Sequence, residues 1–206
     1  MISATEALAR LKEGNHRYIT EVRGGETYTL SARRAAVMAR QEPFAIILGC
    51  SDSRAPAEIV FDQGIGDLFV IRVAGNIVAP SQVGSIEFAA HEFGTRLVVV
   101  LGHSRCGAVQ ATLKALEQHS EASSPNIGSI VNRIRPAVET LAESDLKNDK
   151  EALLRHAVRA NVRASVNFLR HGSTILEPLI RNDGLLVVGA EYSLETGEVD
   201  FFDGSP

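Results

Sequence analysis

Two apolar runs of similar design constrain this chain most. Phe44-Ala45-Ile46-Ile47-Leu48-Gly49 and Leu97-Val98-Val99-Val100-Leu101-Gly102 are near-continuous rather than alternating. A strand with one wet face alternates apolar and polar residues. An unbroken apolar run reads as a strand buried on both faces, the usual state inside a parallel sheet. Each run ends in a glycine that opens a turn, and each turn delivers a cysteine: Cys50-Ser51-Asp52-Ser53-Arg54 and His103-Ser104-Arg105-Cys106-Gly107. If the strands are parallel neighbours, their C-terminal ends lie about 5 Å apart. Cys50, His103 and Cys106 then converge on one point. Two thiolates and an imidazole are a zinc ligand set, and three protein ligands leave a fourth position open for chemistry.

The rest of the pattern fits that frame. Ser3 with Glu6 reads as a capping box opening a helix near 3–18, with Ala7, Leu8, Leu11 and Tyr18 as its apolar positions. Gly24-Gly25 breaks the chain, and a second helix is predicted over 31–40, stopped by Pro43. Strands are predicted at 44–48, 68–73, 97–101 and 185–188, with helices at 81–93, 108–118, 127–141, 151–169 and 173–180 between them. The segment 192–199 reads as a hairpin that returns an edge strand at 199–202. The expected architecture is α/β: a mostly parallel central sheet with an antiparallel edge strand, flanked by helices, preceded by an N-terminal helical arm over about 1–40. Residues 1–206 read as a single domain; 117–125 and 143–150 are polar connectors rather than linkers. Ligands in such folds sit beyond the carboxyl ends of the strands, where both cysteine segments lie.

Bulk properties exclude other classes. With 45% hydrophobic and 22% charged residues among 206, the balance is that of an ordinary globular protein. A formal net charge of −4 leaves no basic footprint for nucleic acid. No apolar stretch approaches the roughly 20 residues of a membrane span. The N-terminus lacks the basic and apolar regions of a secretory signal. Two cysteines do not make a disulfide framework, so the expected location is the reducing cytoplasm, where a Cys/His cluster favours metal or catalysis.

The residues admit plainer readings. Cys50 alone is ordinary as a small buried hydrophobe; His103 and Cys106 shift the balance to metal. A redox pair lacks Cys-x-x-Cys spacing. Asp52 and Arg54 form either an ordinary turn ion pair, worth little if exposed, or a unit in which Arg54 holds Asp52 ionised toward the metal. A carboxylate there accepts a proton from metal-bound water, or ligates the metal itself in a closed state. Gly64-Ile65-Gly66 lacks the third glycine of a dinucleotide loop. His91-Glu92 lacks the second histidine of a zinc protease helix, and His16, His119, His156 and His171 are isolated. Gly107-Ala108 lets the following helix begin close to the site, where its N-terminal dipole favours an anion.

Taken together these residues resemble the β-class carbonic anhydrases over almost the whole chain. The resemblance rests on Cys-x-Asp-x-Arg at 50–54, His-x-x-Cys at 103–106, the segment from Phe61 to Asn76, Gly84-Ser85-Ile86-Glu87-Phe88-Ala89 and Leu11-Lys12-Glu13-Gly14-Asn15. It implies Zn2+ held by Cys50, His103 and Cys106, with Asp52 and Arg54 as catalytic dyad. It also implies a homodimer or dimer of dimers, with the first helix laid across the partner. Two subtypes exist. A tryptophan three residues before the first ligand marks an inhibitory bicarbonate site; here Ile47 stands there. A glutamine nine residues before it, often supplied across the interface, marks the plant-like pocket; here that is Gln41. Phe69 and Phe88 fall at the pocket's aromatic positions, Phe88 where tyrosine is common. Gln41, Phe69, Val73, Ala74, Phe88 and Gly107 are the implied substrate contacts.

The implied reaction is reversible hydration of carbon dioxide to bicarbonate and a proton, with zinc lowering the pKa of its water toward about 7. Two thiolates weaken that Lewis acidity, so activity should rise with pH. A carbonyl sulfide or carbon disulfide hydrolase on the same scaffold is the nearest alternative. A catalytically silent zinc-stabilised interaction protein and a redox or zinc-storage module are further ones.

Overall fold

The computed structural model describes residues 2–21, 34–35, 37–120 and 122–206. The Gly24-Gly25 break and residues 31–33 and 36 of the helix predicted over 31–40 lie outside the described residues. One five-stranded sheet organises the rest, in the order β2-β1-β3-β4-β5. Its strands are β1 (Ala45–Gly49), β2 (Leu68–Arg72), β3 (Leu97–His103), β4 (Leu186–Tyr192) and β5 (Val199–Asp203). The first four run parallel, and β5 returns antiparallel to β4.

β1 and β3 are buried at every position, as expected of strands covered on both faces. Alternate side chains supply two cores. Ile47, Val99, Leu101 and Val188 face α1 (Ala4–Ile19) and α2 (Ala57–Val60). Ile46, Leu48, Val98 and Val100 face α3 (Pro80–Glu92), α6 (Lys150–His171) and α7 (Leu176–Asn182). A third cluster lies past the strand ends. There Cys50 and Cys106 pack with Val109 of α4 (Gly107–Glu117), Ile134 and Val138 of α5 (Pro125–Glu143), and Ala157 and Val158 of α6. The α5–α6 connector holds a short 3₁₀ turn, Asp145–Asn148. Among the described residues no helix is long and apolar enough to cross a membrane.

Helix α1 packs one face on its own chain. The Ser3/Glu6 capping box forms, and the apolar stripe Ala4, Ala7, Leu8 and Leu11 is spent on the chain's own core. Asn15, 5% exposed, fastens it: its amide donates to the carbonyls of Val60 (3.1 Å) and Gly197 (2.9 Å), and its carbonyl accepts from the Val199 N–H (2.9 Å). Gly14 makes that approach possible. A Cβ there would stand 1.9 Å from the Phe61 carbonyl oxygen. The Gly14-Asn15 pair, singled out by the resemblance, therefore docks the helix on its own sheet.

Candidate metal centre

β1 and β3 are adjacent and parallel, with Gly49 opposite Leu101. Cys50 follows the last residue of β1. Strand β3 runs two residues further than expected, because Gly102 and His103 keep pairing with Glu191 and Tyr192 of β4. His103 is therefore held in the sheet rather than on a loop, and is fully buried. Cys106 is the N-cap of α4, so the positive end of that helix dipole faces the same place. The donor atoms of Cys50, His103 and Cys106 all lie within 4.8 Å of one another.

The donor set fits zinc. Tetrahedral bonds of about 2.3 Å to sulfur and 2.0 Å to nitrogen separate neighbouring donors by roughly 3.3–3.8 Å, a small contraction of the observed group. His103 Nδ1 lies 2.9 Å from the Ser104 carbonyl oxygen. A carbonyl only accepts, so Nδ1 carries the proton and Nε2 presents its lone pair. That buried Nε2 has no hydrogen-bond partner in the protein, an expensive state that a metal relieves. Both cysteines are free and buried.

The thiols already behave as a ligand pair. A hydrogen bond from Cys106, against the opposing effect of burial, draws Cys50 down, helped by His103 and the Gly75 N–H. The same bond, together with burial, pushes Cys106 up. For His103, burial opposes protonation, but the Cys50 thiolate outweighs it and raises the pKa. The pair thus shares its protons unequally, and a cation beside it would draw off those that remain.

Asp52 stands next to this group, its Oδ2 3.8 Å from His103 Nε2. Arg54 grips it from the other side: Nε to Oδ1 at 2.9 Å, Nη2 to Oδ2 at 2.8 Å, and the Arg54 N–H to Oδ1 at 3.0 Å. That grip holds the Asp52 carboxyl well below the usual carboxylate range. A two-pronged guanidinium–carboxylate contact also fixes orientation.

Two positioning elements carried no readable role in the sequence. Arg72, at the end of β2, donates to the carbonyls of Cys50 and Asp52 and pins the loop between them. Gly75, with φ +70°, donates its N–H to Cys50 Sγ at 3.3 Å. A Cβ there would press on Ile134 and Ala108, so the backbone reaches the sulfur only as glycine. Asn161 secures the turn through the Gly75 carbonyl.

The expected substrate contacts divide. Val73 and Ala74 follow β2 beside the cluster, and Gly107 follows Cys106. Gln41 precedes β1 and is exposed, so it lies at the opposite end of the strand from Cys50. Phe69 pairs with Ile46, four positions before Cys50, or roughly 13 Å back along the strand. Phe69, Phe88 and Phe93 form an aromatic group with ring centroids 5.5–6.4 Å apart. Phe88 is 52% exposed. A single chain does not bring Gln41, Phe69 and Phe88 to its own Cys–His–Cys group.

Comparison with known proteins agrees with this geometry. The carbonic anhydrase family model matches residues 45–199. Carbonic anhydrase 2 of Mycobacterium tuberculosis is 37% identical over 189 residues, covering 91% of this chain and 87% of that protein. The β-carbonic anhydrase CafA of Aspergillus fumigatus superposes with a TM-score of 0.75 at 25% identity, covering 98% of this chain and 91% of that one. A structure from the study of two tetrameric β-carbonic anhydrases of Sordaria macrospora gives a TM-score of 0.74 at 24% identity, covering 82% and 84%. In sequence and in fold, then, the chain belongs to the β-class of the carbonic anhydrase family.

Proposed function

We propose that this protein catalyses the reversible hydration of carbon dioxide to bicarbonate and a proton, with Cys50, His103 and Cys106 holding zinc. The observation that carries the reading is a buried two-thiol, one-imidazole group whose imidazole Nε2 is unpartnered, with an ionised aspartate 3.8 Å away. When bound, zinc supplies Lewis acidity that brings the ionisation of water toward neutral pH.

The chain's own residues supply the rest. Arg54 keeps Asp52 ionised and aimed, so Asp52 Oδ2 accepts a hydrogen bond from the attacking oxygen and orients its lone pair toward carbon. Arg72 and Gly75 hold the Cys50–Asp52 segment rigid. Gly107 opens the first turn of α4, whose N–H groups favour the bicarbonate anion that forms. Val73 and Ala74 form the near wall of an apolar slot for carbon dioxide.

Gln41, Phe69 and Phe88 complete the slot from a second copy of the chain. Their distance from their own metal group supports this, as do the exposure of Phe88 and the description of the Sordaria macrospora relatives as tetrameric. On this reading residues 1–206 act as one domain within a dimer or dimer of dimers, with the plant-like pocket. The location is the cytoplasm, where free thiols persist.

Stopped-flow carbon dioxide hydration between about pH 6.5 and 9, the range around the ionisation of zinc-bound water, tests the proposal. Activity that rises with pH and disappears on chelation supports it. A zinc-loaded protein inactive across the range overturns it. Asp52→Asn should lower activity while zinc content stays unchanged; loss of zinc would make Asp52 a structural residue.

A further inference from the structure

The loop between His103 and Cys106 is two residues long, and one of the two is strained. Arg105 has φ +56°, a left-handed conformation that costs a non-glycine residue on the order of 1 kcal/mol or more. The Ser104 carbonyl must point back at His103 Nδ1, since that contact sets which imidazole nitrogen faces the thiols. The loop's own length does not enforce this arrangement.

The β4–β5 turn does. Strand pairing continues one step past His103, with the Ser104 N–H donating to the Tyr192 carbonyl at 2.9 Å. The Ser104 hydroxyl accepts from the Leu194 N–H at 3.0 Å and donates to Glu195 Oε2 at 2.8 Å. The other carboxylate oxygen, Oε1, meets Arg105 Nε at 2.7 Å. One carboxylate thus engages both residues between the two metal ligands. It sits on a turn that is itself braced: Ser193 Oγ reaches Glu195 Oε2 at 3.4 Å and caps the Thr196 N–H at 3.1 Å, and the Gly197 N–H donates to the Ser193 carbonyl at 2.9 Å. Glu195 is held below the usual carboxylate range, chiefly by the Ser104 hydroxyl.

We propose that Glu195 is a positioning residue that locks the His103–Cys106 loop through Ser104, and so sets how tightly the protein holds its metal. The proposal rests on the metal-centre reading above. The two links differ in weight. The Arg105–Glu195 pair is exposed on both sides, and such pairs contribute little. The Ser104–Glu195 bond is charge-assisted and acts on the residue whose carbonyl orients the ligand histidine. Partners that orient a metal-bound histidine typically govern affinity by 10–100-fold. Glu195 acts one bond further out, so the lower end of that range applies.

The experiment measures zinc release from the loaded protein to a colorimetric chelator, alongside thermal melting of the metal-free form. Glu195→Ala should speed release about tenfold and leave the metal-free melt unchanged. Glu195→Gln keeps an acceptor for the Ser104 hydroxyl and should stay within about threefold of the parent, since a neutral acceptor weakens the bond without removing it. Arg105→Ala should change release less than about twofold. Ser104→Ala should speed release at least as much as Glu195→Ala, since it also removes the Leu194 contact, and the double variant should be no faster than Ser104→Ala, because the Ser104–Glu195 bond is already gone. Equal release from Glu195→Ala and the parent overturns the proposal. Fully additive Ser104 and Glu195 effects, or a metal-free melt that falls in step with release, also overturn it by showing a general structural role. A parent protein that takes up no zinc defeats the metal-centre reading and this inference with it.

Discussion

The two ends of the β1–β2 edge are finished to very different degrees. At the C-terminal end, Cys50, His103 and Cys106 are 6%, 0% and 1% exposed, and each is fixed by a strand end, a helix cap or a backbone hydrogen bond. Toward the other end, Phe69, Phe88 and Phe93 pack against one another in tilted and edge-to-face contacts while Phe88 stays half in solvent and Gln41 is uncovered. The physical demands differ. Ligand atoms that must lose protons and keep sub-ångström geometry need a dry, rigid frame, which one chain builds from adjacent strands. A slot for a small apolar molecule needs only apolar walls, and these can come from two chains. The exposed aromatic face is costly in water and fits a surface awaiting cover.

The largest expected effect breaks the finished end. Cys106→Ala should remove zinc, seen by elemental analysis, and lower hydration by more than about a hundredfold, since loss of an outer partner alone costs 10–100-fold. Retained zinc with near-normal turnover would show that the three donors are not the ligands. Phe88→Arg attacks the other end. Zinc content should not change, while activity falls about tenfold or more because a charge enters an apolar slot.

Mixing these two variants sharpens the comparison into a yes-or-no result. If each slot is completed by the partner, a mixed dimer pairs the intact metal group of the Phe88→Arg chain with the intact Phe88 of the Cys106→Ala chain. A two-fold interface then restores one site per mixed dimer, or roughly a quarter of wild-type activity when chains exchange at random. No recovery after proven exchange would mean that each chain builds its slot alone.

Much of the finished end was legible in the sequence, because each signal was local. An apolar run, a glycine and a cysteine within seven residues announce a buried strand that stops at a ligand. The end of β3 was misjudged because Gly102 reads as a turn, whereas it continues to pair across the sheet with Glu191. The fastenings were not legible. Ser104 meets Glu195 from 91 positions away, and Asn15 reaches Gly197 across 182; no spacing rule links them. Arg72 and Gly75 act on backbone or sulfur through geometry that residue type does not announce. The residues of the unfinished end were named only by resemblance, since no local spacing ties Gln41, Phe69 or Phe88 to the two cysteine segments.

Gly14 offers a mid-sized test of whether α1 belongs to its own chain. Glycine to alanine inside a helix ordinarily stabilises by up to about 1 kcal/mol. Here the added Cβ meets the Phe61 carbonyl oxygen at 1.9 Å, and backbone cannot swing aside. Gly14→Ala should therefore destabilise by about 1–3 kcal/mol, read from denaturant melts, whereas Gly84→Ala, with no atom within 4 Å of its Cβ position, should stabilise slightly. A neutral Gly14→Ala would show that α1 does not dock on its own sheet as described.

The smallest effect concerns the same helix and is separated by pH. Glu6 closes the capping box on Ser3, whose hydroxyl and N–H lower its pKa from the ordinary value of 4.5. A carboxyl with a depressed folded pKa stabilises fully above its unfolded value, and that contribution is lost as pH falls through the folded one. Glutamine at this position still caps as a neutral acceptor, so Glu6→Gln removes only the charge at the positive end of the helix dipole. At pH 7 the variant should melt lower than the parent by on the order of a few degrees or less. At a pH well below the folded pKa, where the parent carboxyl is also neutral, the two should coincide. A gap that persists in acid would assign the difference to cap geometry rather than charge, and would move the anchoring of α1 onto Asn15 and the apolar stripe alone.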